Sequence, residues 1–254
     1  MKIAVAYKWA PNPQHATVAD DGTVDWGRAK ASVSEYDQVA IEVGRRLADA
    51  TGAELVGLTA AGAESGSAMA RKTALSRGLD RLAVATDESL VGASAGRTAK
   101  ALAALVQAIG EVDLVLTGDA SQDLGAQMVP GVLAAELGWP VLTNVTSITG
   151  TVGDLTVERV LETGTQTLRV TVPAVLALAS DAAVPRVPGM KDILSAGKKP
   201  TDVVDVASPA ADPVAVVSTA PPAMKARKRR VVDGSDPAAA AAELVAALRA
   251  DKVL

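Results

Sequence analysis

Short runs of Val, Leu, Ile and Ala alternate along the chain with longer Ala-rich stretches in which apolar and charged positions recur at helical spacing. Runs at 2–7, 54–59, 81–85, 112–117 and 174–178 predict strands, since continuous apolar runs of this length suit strands buried on both faces. Between the first two, residues 37–50 set Val39, Val43 and Leu47 on one face, while Glu42, Arg45 and Asp49 point elsewhere, the pattern of an amphipathic helix. The same pattern predicts helices over 66–77, 94–109 and 124–137, each followed by a glycine (Gly78, Gly110, Gly138), the residue that helix ends prefer. Strands and helices in this alternation predict a parallel sheet covered by helices, each bridging two strands by a right-handed crossover.

Residues 154–172 leave that rhythm. Leu155–Leu161 and Gln166–Val172 flank Glu162-Thr163-Gly164-Thr165, which reads as a β-hairpin added to a sheet edge. Beyond Ser180 comes a Pro-punctuated loop, then a tail rich in Ala, Pro, Asp and Val over 201–224 that reads as an arm without a core of its own. Five of the six residues 225–230 are basic; a solvated segment, an acidic protein surface and a nucleic acid all suit such a run, although no aromatic residue stands nearby to stack on bases. A helix follows over 237–250, with Asp236 as N-cap and Pro237 at its first position.

Composition then narrows the chemistry. The 254 residues are 49% hydrophobic and 21% charged, which suits one soluble domain with appendages. The net charge of −4 is too mild to indicate nucleic-acid or membrane binding by itself. With no Cys and only His15, disulfide scaffolds, Cys-based zinc sites, iron–sulfur clusters, thiol nucleophiles and multi-His metal sites are excluded. The apolar run at 2–7 is too short for a signal-peptide core and reads as a buried strand. No run approaches the ~18 apolar residues of a membrane span, so a cytoplasmic location is expected. No Phe is present, so small aliphatic side chains must fill the core.

In an open parallel sheet, ligands sit beyond the carboxyl ends of the strands, against helix N-termini. Three loops qualify: residues 8–13 after the first strand, 60–66 after the second and 118–127 after the fourth. The last, Gly118-Asp119-Ala120-Ser121-Gln122-Asp123-Leu124-Gly125-Ala126-Gln127, combines small footprints with hydrogen-bonding ends. It suits a phosphate and ribose, and it equally suits a plain strand-to-helix turn with Asp123 as the helix cap. No strand is followed by G-x-G-x-x-G, and Gly92–Thr98 lacks the length and the Lys of a phosphate-binding P-loop. His15 has no Ser-bearing elbow near it, and Asp119 with Asp123 is a weak carboxylate pair. What survives is a protein that holds a cofactor and leaves the reaction to it.

Taken together, Met1-Lys2-Ile3 through Tyr7-Lys8, Ser34-Glu35-Tyr36-Asp37 with Ala40-Ile41-Glu42, Arg71-Lys72 with Ala74–Gly78, and Asp113–Leu116 into Gly118 resemble the electron transfer flavoprotein beta subunit family. Val157-Glu158-Arg159 with Glu162, Gln166-Thr167-Leu168 and Pro173–Ala177 are similar to that family's hairpin and following strand, and Pro185-Arg186 through Ile193 with Ala196–Pro200 are similar to its partner-docking loop. The resemblance covers almost the whole chain. The loop at 118–127 departs from the common family form G-K-Q-A-x-D-D-D-x-N-Q-T-G and looks more like the FixA-like branch, where some relatives bifurcate electrons with a second FAD in place of AMP; Thr163 stands where the family usually has an acid or glycine.

The resemblance implies an α/β, Rossmann-like three-layer fold with a mainly parallel sheet, an added β-hairpin and an extended C-terminal arm. Residues 1–200 would form an adenine-nucleotide-binding domain with its docking loop at 181–199, and 201–254 an arm and terminal helix packing on an alpha subunit. That alpha subunit would hold the electron-carrying FAD, and this chain AMP or a second FAD. Carried over by position, the nucleotide would touch Ala6, Ser34, Ala60, Gly118, Asp119, Ala120, Ser121, Gln122, Asp123, Gly125 and Gln127, with Tyr36 near the flavin ring. Arg186, Met190 and Ile193 would dock a flavin dehydrogenase, Met190 as its flexible anchor. The implied function is electron transfer, not an enzyme's catalysis: from acyl-CoA or other flavin dehydrogenases, or from NADH in a bifurcating member, to a quinone oxidoreductase or ferredoxin, with no nucleic acid and no membrane insertion. The other reading of the same residues is a stand-alone adenine-nucleotide sensor of the universal-stress type, which leaves the hairpin, Lys198-Lys199-Pro200 and the arm without a role.

Overall fold

A computed structural model describes residues 1–151, 153–206, 217, 223 and 226–254. The chain divides into two units, Met1–Ser218 and Thr219–Leu254. In the first, all five apolar runs are strands: β1 (Lys2–Ala6), β6 (Glu54–Ala61), β7 (Arg81–Thr86), β8 (Leu114–Gly118) and β12 (Ala174–Leu178). The four amphipathic stretches give α1 (Glu35–Thr51), α2 (Ala68–Leu75), α3 (Ala95–Ile109) and α4 (Val129–Leu137). Four short strands, β2 (Trp9–Pro11), β3 (Thr17–Val18), β4 (Val24–Asp25) and β5 (Ala31–Val33), fill the excursion between β1 and α1, pairing β2 with β5 and β3 with β4.

The hairpin is present as β10 (Asp154–Leu161) and β11 (Gly164–Val170), turning through Glu162-Thr163 with Leu161 opposite Gly164. Besides the four short strands of that excursion, two strands of the main sheet were not evident in the sequence. One is β9 (Val141–Thr151), which pairs parallel with β12 and antiparallel with β10. Its many Thr, Ser and Asn residues hide it, since only Val145 among them is buried. The other is β13 (Thr201–Val203), which pairs parallel with β7, so the sheet continues past residue 200. Among the described residues the sheet has nine strands in the order β11-β10-β9-β12-β8-β1-β6-β7-β13, parallel except for the pairs β9–β10 and β10–β11.

Alternating side chains send the two faces of the sheet into two cores. Ile3, Val5, Leu55, Leu114, Leu116 and Leu176 pack with Ile41 and Leu47 of α1 and Ala74 and Leu75 of α2. Ala4, Ala6, Val56, Leu58, Val115 and Val175 pack with Leu102, Leu105 and Val106 of α3 and Leu133 of α4. The result is three layers, the Rossmann-like α/β arrangement with a mainly parallel sheet.

Helix α4 begins five residues later than the periodicity predicts. Gly125 at φ 60° and Gln127 at φ 56° are left-handed, a conformation no right-handed helix contains. Pro130 then fits the first turn, where its missing N–H leaves no bond unmade. Glu42, expected on the polar face of α1, is 6% exposed; Arg46 and Arg186 cover it.

Helix α5 (Met190–Ala196) lies in the Pro-punctuated loop of the first unit. In the second unit, α6 (Pro237–Ala250) starts as expected, the Asp236 carboxylate accepting the N–H groups of Ala238 and Ala239. Lys228 pairs with Asp251 and Arg230 with Glu243, and no residue of α6 is buried. Most of the stretch read as a coreless arm, and Lys225 of the basic run, lie outside the described residues.

Candidate functional site

Strand order fixes where a ligand can go. The chain leaves β1 through α1 toward β6, and returns from β7 through α3 to β8 on the other side of β1. Because α1 and α3 cover opposite faces, the carboxyl ends of β1 and β8 form a topological switch point, where open α/β sheets open a crevice. The order β8-β1-β6 makes the turns after these three strands neighbours.

Side chains from all three turns and from the start of α1 tie this corner together. The Lys8 ammonium lies 2.6 Å from Asp123 Oδ2. Asp37, in the first turn of α1, accepts the Lys8 main-chain N–H at 2.8 Å and that of Gly118 at 3.1 Å. Gln122 accepts the Glu35 N–H through Oε1 and donates through Nε2 to the carbonyls of Ala10 and Pro11. The buried Ser34 hydroxyl does not cap α1; it accepts the Gln122 N–H at 3.3 Å. The Trp9 indole donates to Glu64 Oε1 at 3.3 Å, linking the turns after β1 and β6.

Gly118 is required by a close approach. A Cβ there would sit 2.7 Å from Tyr36 Cβ and 2.8 Å from both the Tyr36 carbonyl carbon and Asp37 Oδ1, inside any van der Waals contact.

Electrostatics divides the carboxylates. Burial pushes Asp37 up to about 7, against the two N–H groups and the Lys8 charge that favour its ionised form. Burial also raises Asp119, reinforced by the nearby Asp181. For Asp123 burial works in the same direction, but hydrogen bonds from Lys8 and Ser121 outweigh it and hold the group below the usual carboxylate range. Asp119 and Asp123 shift oppositely, and neither carboxylate is among the groups that perturb the other. Nor does Asp123 cap α4, which starts at Val129.

The structure brings Ala6, Ser34, Gly118, Asp119, Ala120, Ser121, Gln122 and Asp123 to this corner as buried or half-buried residues. Ala60 lies half-buried near the end of β6, paired with Ala85 of β7. Gly125 and Gln127 sit on the exposed outer rim of the loop. Tyr36 lines a cavity of about 450 Å³ with Glu35, Gln38, Val39, Ser180 and Pro185. Lys8, Trp9 and Glu64 lie in two of the loops that the sequence marks as candidates, whereas Asp37 lies in none of them. Asp37 had a signal: it falls in register with Ile41, Gly44 and Ala48 on the buried stripe of α1, where an acid has no reason to be unless it is hydrogen-bonded.

One observation leaves this corner short of polar partners. Thr117 Oγ1, Asp119 Oδ1 and Asp123 Oδ1 are buried with no hydrogen-bond partner, at the end of β8 and in the turn that follows it, and buried polar atoms left unpaired call for a partner. A phosphate-bearing ligand placed here would meet Ser34, Thr117 and residues 118–123, with Lys8 supplying a cation at the rim.

A second surface lies on the loop 181–199. Arg186 Nε donates to Glu42 Oε2 at 2.7 Å, and Lys199 Nζ donates to the carbonyls of Leu75 and Leu79 at the end of α2. Between these pins, Met190 is 74% exposed and Ile193 37%. Among the described residues, no helix is long and apolar enough to cross a membrane.

One family model, Electron transfer flavoprotein domain, matches residues 21–209, a span that includes α1, the loop 118–127, the hairpin and the loop 181–199. Its members are electron carriers that work with flavin. This chain belongs to the electron transfer flavoprotein family.

Proposed function

We propose that this chain is the beta subunit of an electron transfer flavoprotein of the FixA-like branch, and that it pairs with an alpha subunit carrying the redox-active FAD. It holds an adenine nucleotide, AMP or the adenosine end of a second FAD, where the turns after β1, β6 and β8 meet. The observation that carries this reading is the tie of Lys8 to Asp123 and of Asp37 to both Lys8 and Gly118, which presses two of those turns together around unpaired buried polar atoms.

A bound flavin supplies the electron-carrying chemistry. This chain's residues orient and exclude: Tyr36 and its cavity face the position of the partner's flavin ring, and the loop 118–127 closes over the nucleotide. Electrons enter from acyl-CoA or other flavin dehydrogenases docked at Arg186, Met190 and Ile193, and leave to a quinone oxidoreductase. The arm and α6 pack on the alpha subunit; the exposed Leu244 and Val245 of α6 support this, since apolar residues on a helix without its own core need a covering surface.

Co-expression with the alpha subunit tests the reading. A yellow heterodimer that reoxidises a reduced flavin dehydrogenase supports it. A colourless chain that remains monomeric beside the alpha subunit overturns it.

A further inference from the structure

A groove of about 310 Å³ lies between α2 and the docking loop, lined by Met69, Lys72, Thr73, Ser76, Arg77, Pro188 and Ile193. Its chemistry is unbalanced. Arg77 Nε is buried there and has no hydrogen-bond partner, and burial alone pulls the guanidinium below its ordinary value. Lys72 is exposed at the same rim.

Among the described residues no carboxylate pairs with either cation. The nearby acids are committed elsewhere: Glu42 to Arg46 and Arg186, Asp80 to Arg45 and the Leu55 N–H, Asp49 to Arg45, and Asp192 to the Gly189 N–H at the start of α5. Arg77 is half-buried with its Nε fully buried and unpaired, and a carboxylate is the group its planar fork matches best. Around the groove, Met69, Met190, Leu194, Val184 and Val187 are 65–92% exposed. The surface is thus apolar with a cationic pocket in it, and its charge complement is an acidic side chain among apolar ones.

We propose that this groove receives an Asp or Glu side chain of the flavin dehydrogenase that docks on residues 184–194, Arg77 binding the carboxylate and Lys72 flanking it. The inference rests on the docking reading above and adds the chemistry of the partner: an apolar patch with a carboxylate at its edge. Arg77 becomes a specificity-determining residue, rejecting dehydrogenases that present an apolar or basic group there, because such a group covers the half-buried guanidinium and leaves it unpaired.

The test is steady-state reduction of the co-purified heterodimer by a reduced acyl-CoA dehydrogenase, comparing wild type, Arg77→Met, Arg77→Glu and Met190→Ala. Arg77→Met removes a charge that has no partner in the free protein, so its thermal melt should match wild type. The expected result is a rise in KM of ~10-fold or more for Arg77→Glu with kcat unchanged, a smaller rise for Arg77→Met, and a weaker dependence of KM on salt in both. Met190→Ala reports on docking itself. If it raises KM while both Arg77 variants behave as wild type, the carboxylate proposal is overturned and the docking reading stands. If Met190→Ala also leaves KM unchanged, the docking reading fails and takes the proposal with it.

Discussion

Lys8 and Asp123 lie 115 positions apart in the chain, yet their side chains meet at 2.6 Å, joining the turn after β1 to the turn after β8. Asp123 is the more buried partner, with 10% of its side chain exposed against 40% for Lys8. Its carboxyl is held below the usual range, so its contribution to stability is present above the unfolded value of 3.8 and is lost as pH falls through the lower folded value. Lys8→Met should lower stability near neutral pH by about 1 kcal/mol, allowing for the half-exposed ammonium, or ~2–4 °C in melting temperature. Melts across acid pH check this: the gap from wild type should close as pH falls below about 4.

Asp37 should leave the opposite signature. Its folded value of about 7 lies above the unfolded 3.8, so its contribution is fully present below 3.8 and declines as pH rises through 7. Wild-type stability should therefore fall between weakly acidic and neutral pH. Asp37→Asn keeps one acceptor but turns an amide N–H₂ toward the second donor, so it should lower stability throughout and flatten this part of the profile. Chemical denaturation at a series of pH values measures both effects.

Gly118→Ala should be among the most damaging single changes in the domain. The new Cβ meets the Tyr36 carbonyl carbon and Asp37 Oδ1 at 2.8 Å, and neither is the free end of a flexible side chain. A loss of about 1–3 kcal/mol is expected, together with a loop 118–127 that no longer retains nucleotide. Thermal melting and nucleotide content of the purified protein report the two consequences.

Glu42→Gln should loosen the docking loop without touching the nucleotide corner. Glu42 is held below the usual carboxylate range, against its burial, by Arg186 and Arg46. Neutralising it removes the charge that pins Arg186. Hydrogen exchange over 184–194 should quicken at least ~10-fold, while nucleotide content stays at the wild-type level.

How much of this was legible in the sequence follows from what each feature depends on. The strands at 2–7, 54–59, 81–85 and 174–178 and the stripes of α1 and α3 announced themselves, because burial on both faces or on one stripe writes a local pattern. Strand β9 did not: its Thr, Ser and Asn residues are mostly exposed, and Asn144 adopts φ 56° where the register against β12 shifts, so neither alternation nor an apolar run survives. The start of α4 was misplaced because Leu124 and Met128 keep helical spacing while standing 70% and 57% exposed on a loop. The position of the candidate site followed from strand order and loop chemistry. Its internal ties did not, since Lys8–Asp123 and Asp37–Gly118 join residues that only the folded sheet makes neighbours.

The central claim is that the turns after β1, β6 and β8 clasp an adenine nucleotide within a two-subunit flavin carrier. Acid extraction of the purified heterodimer, with chromatographic counting of FAD and AMP per heterodimer, tests it most directly. The expected yield is one FAD from the alpha subunit plus one further adenine nucleotide, AMP in a simple carrier or a second FAD in a bifurcating one, with that second nucleotide alone lost in Gly118→Ala. A wild-type heterodimer that yields a single FAD and no other adenine nucleotide would contradict it.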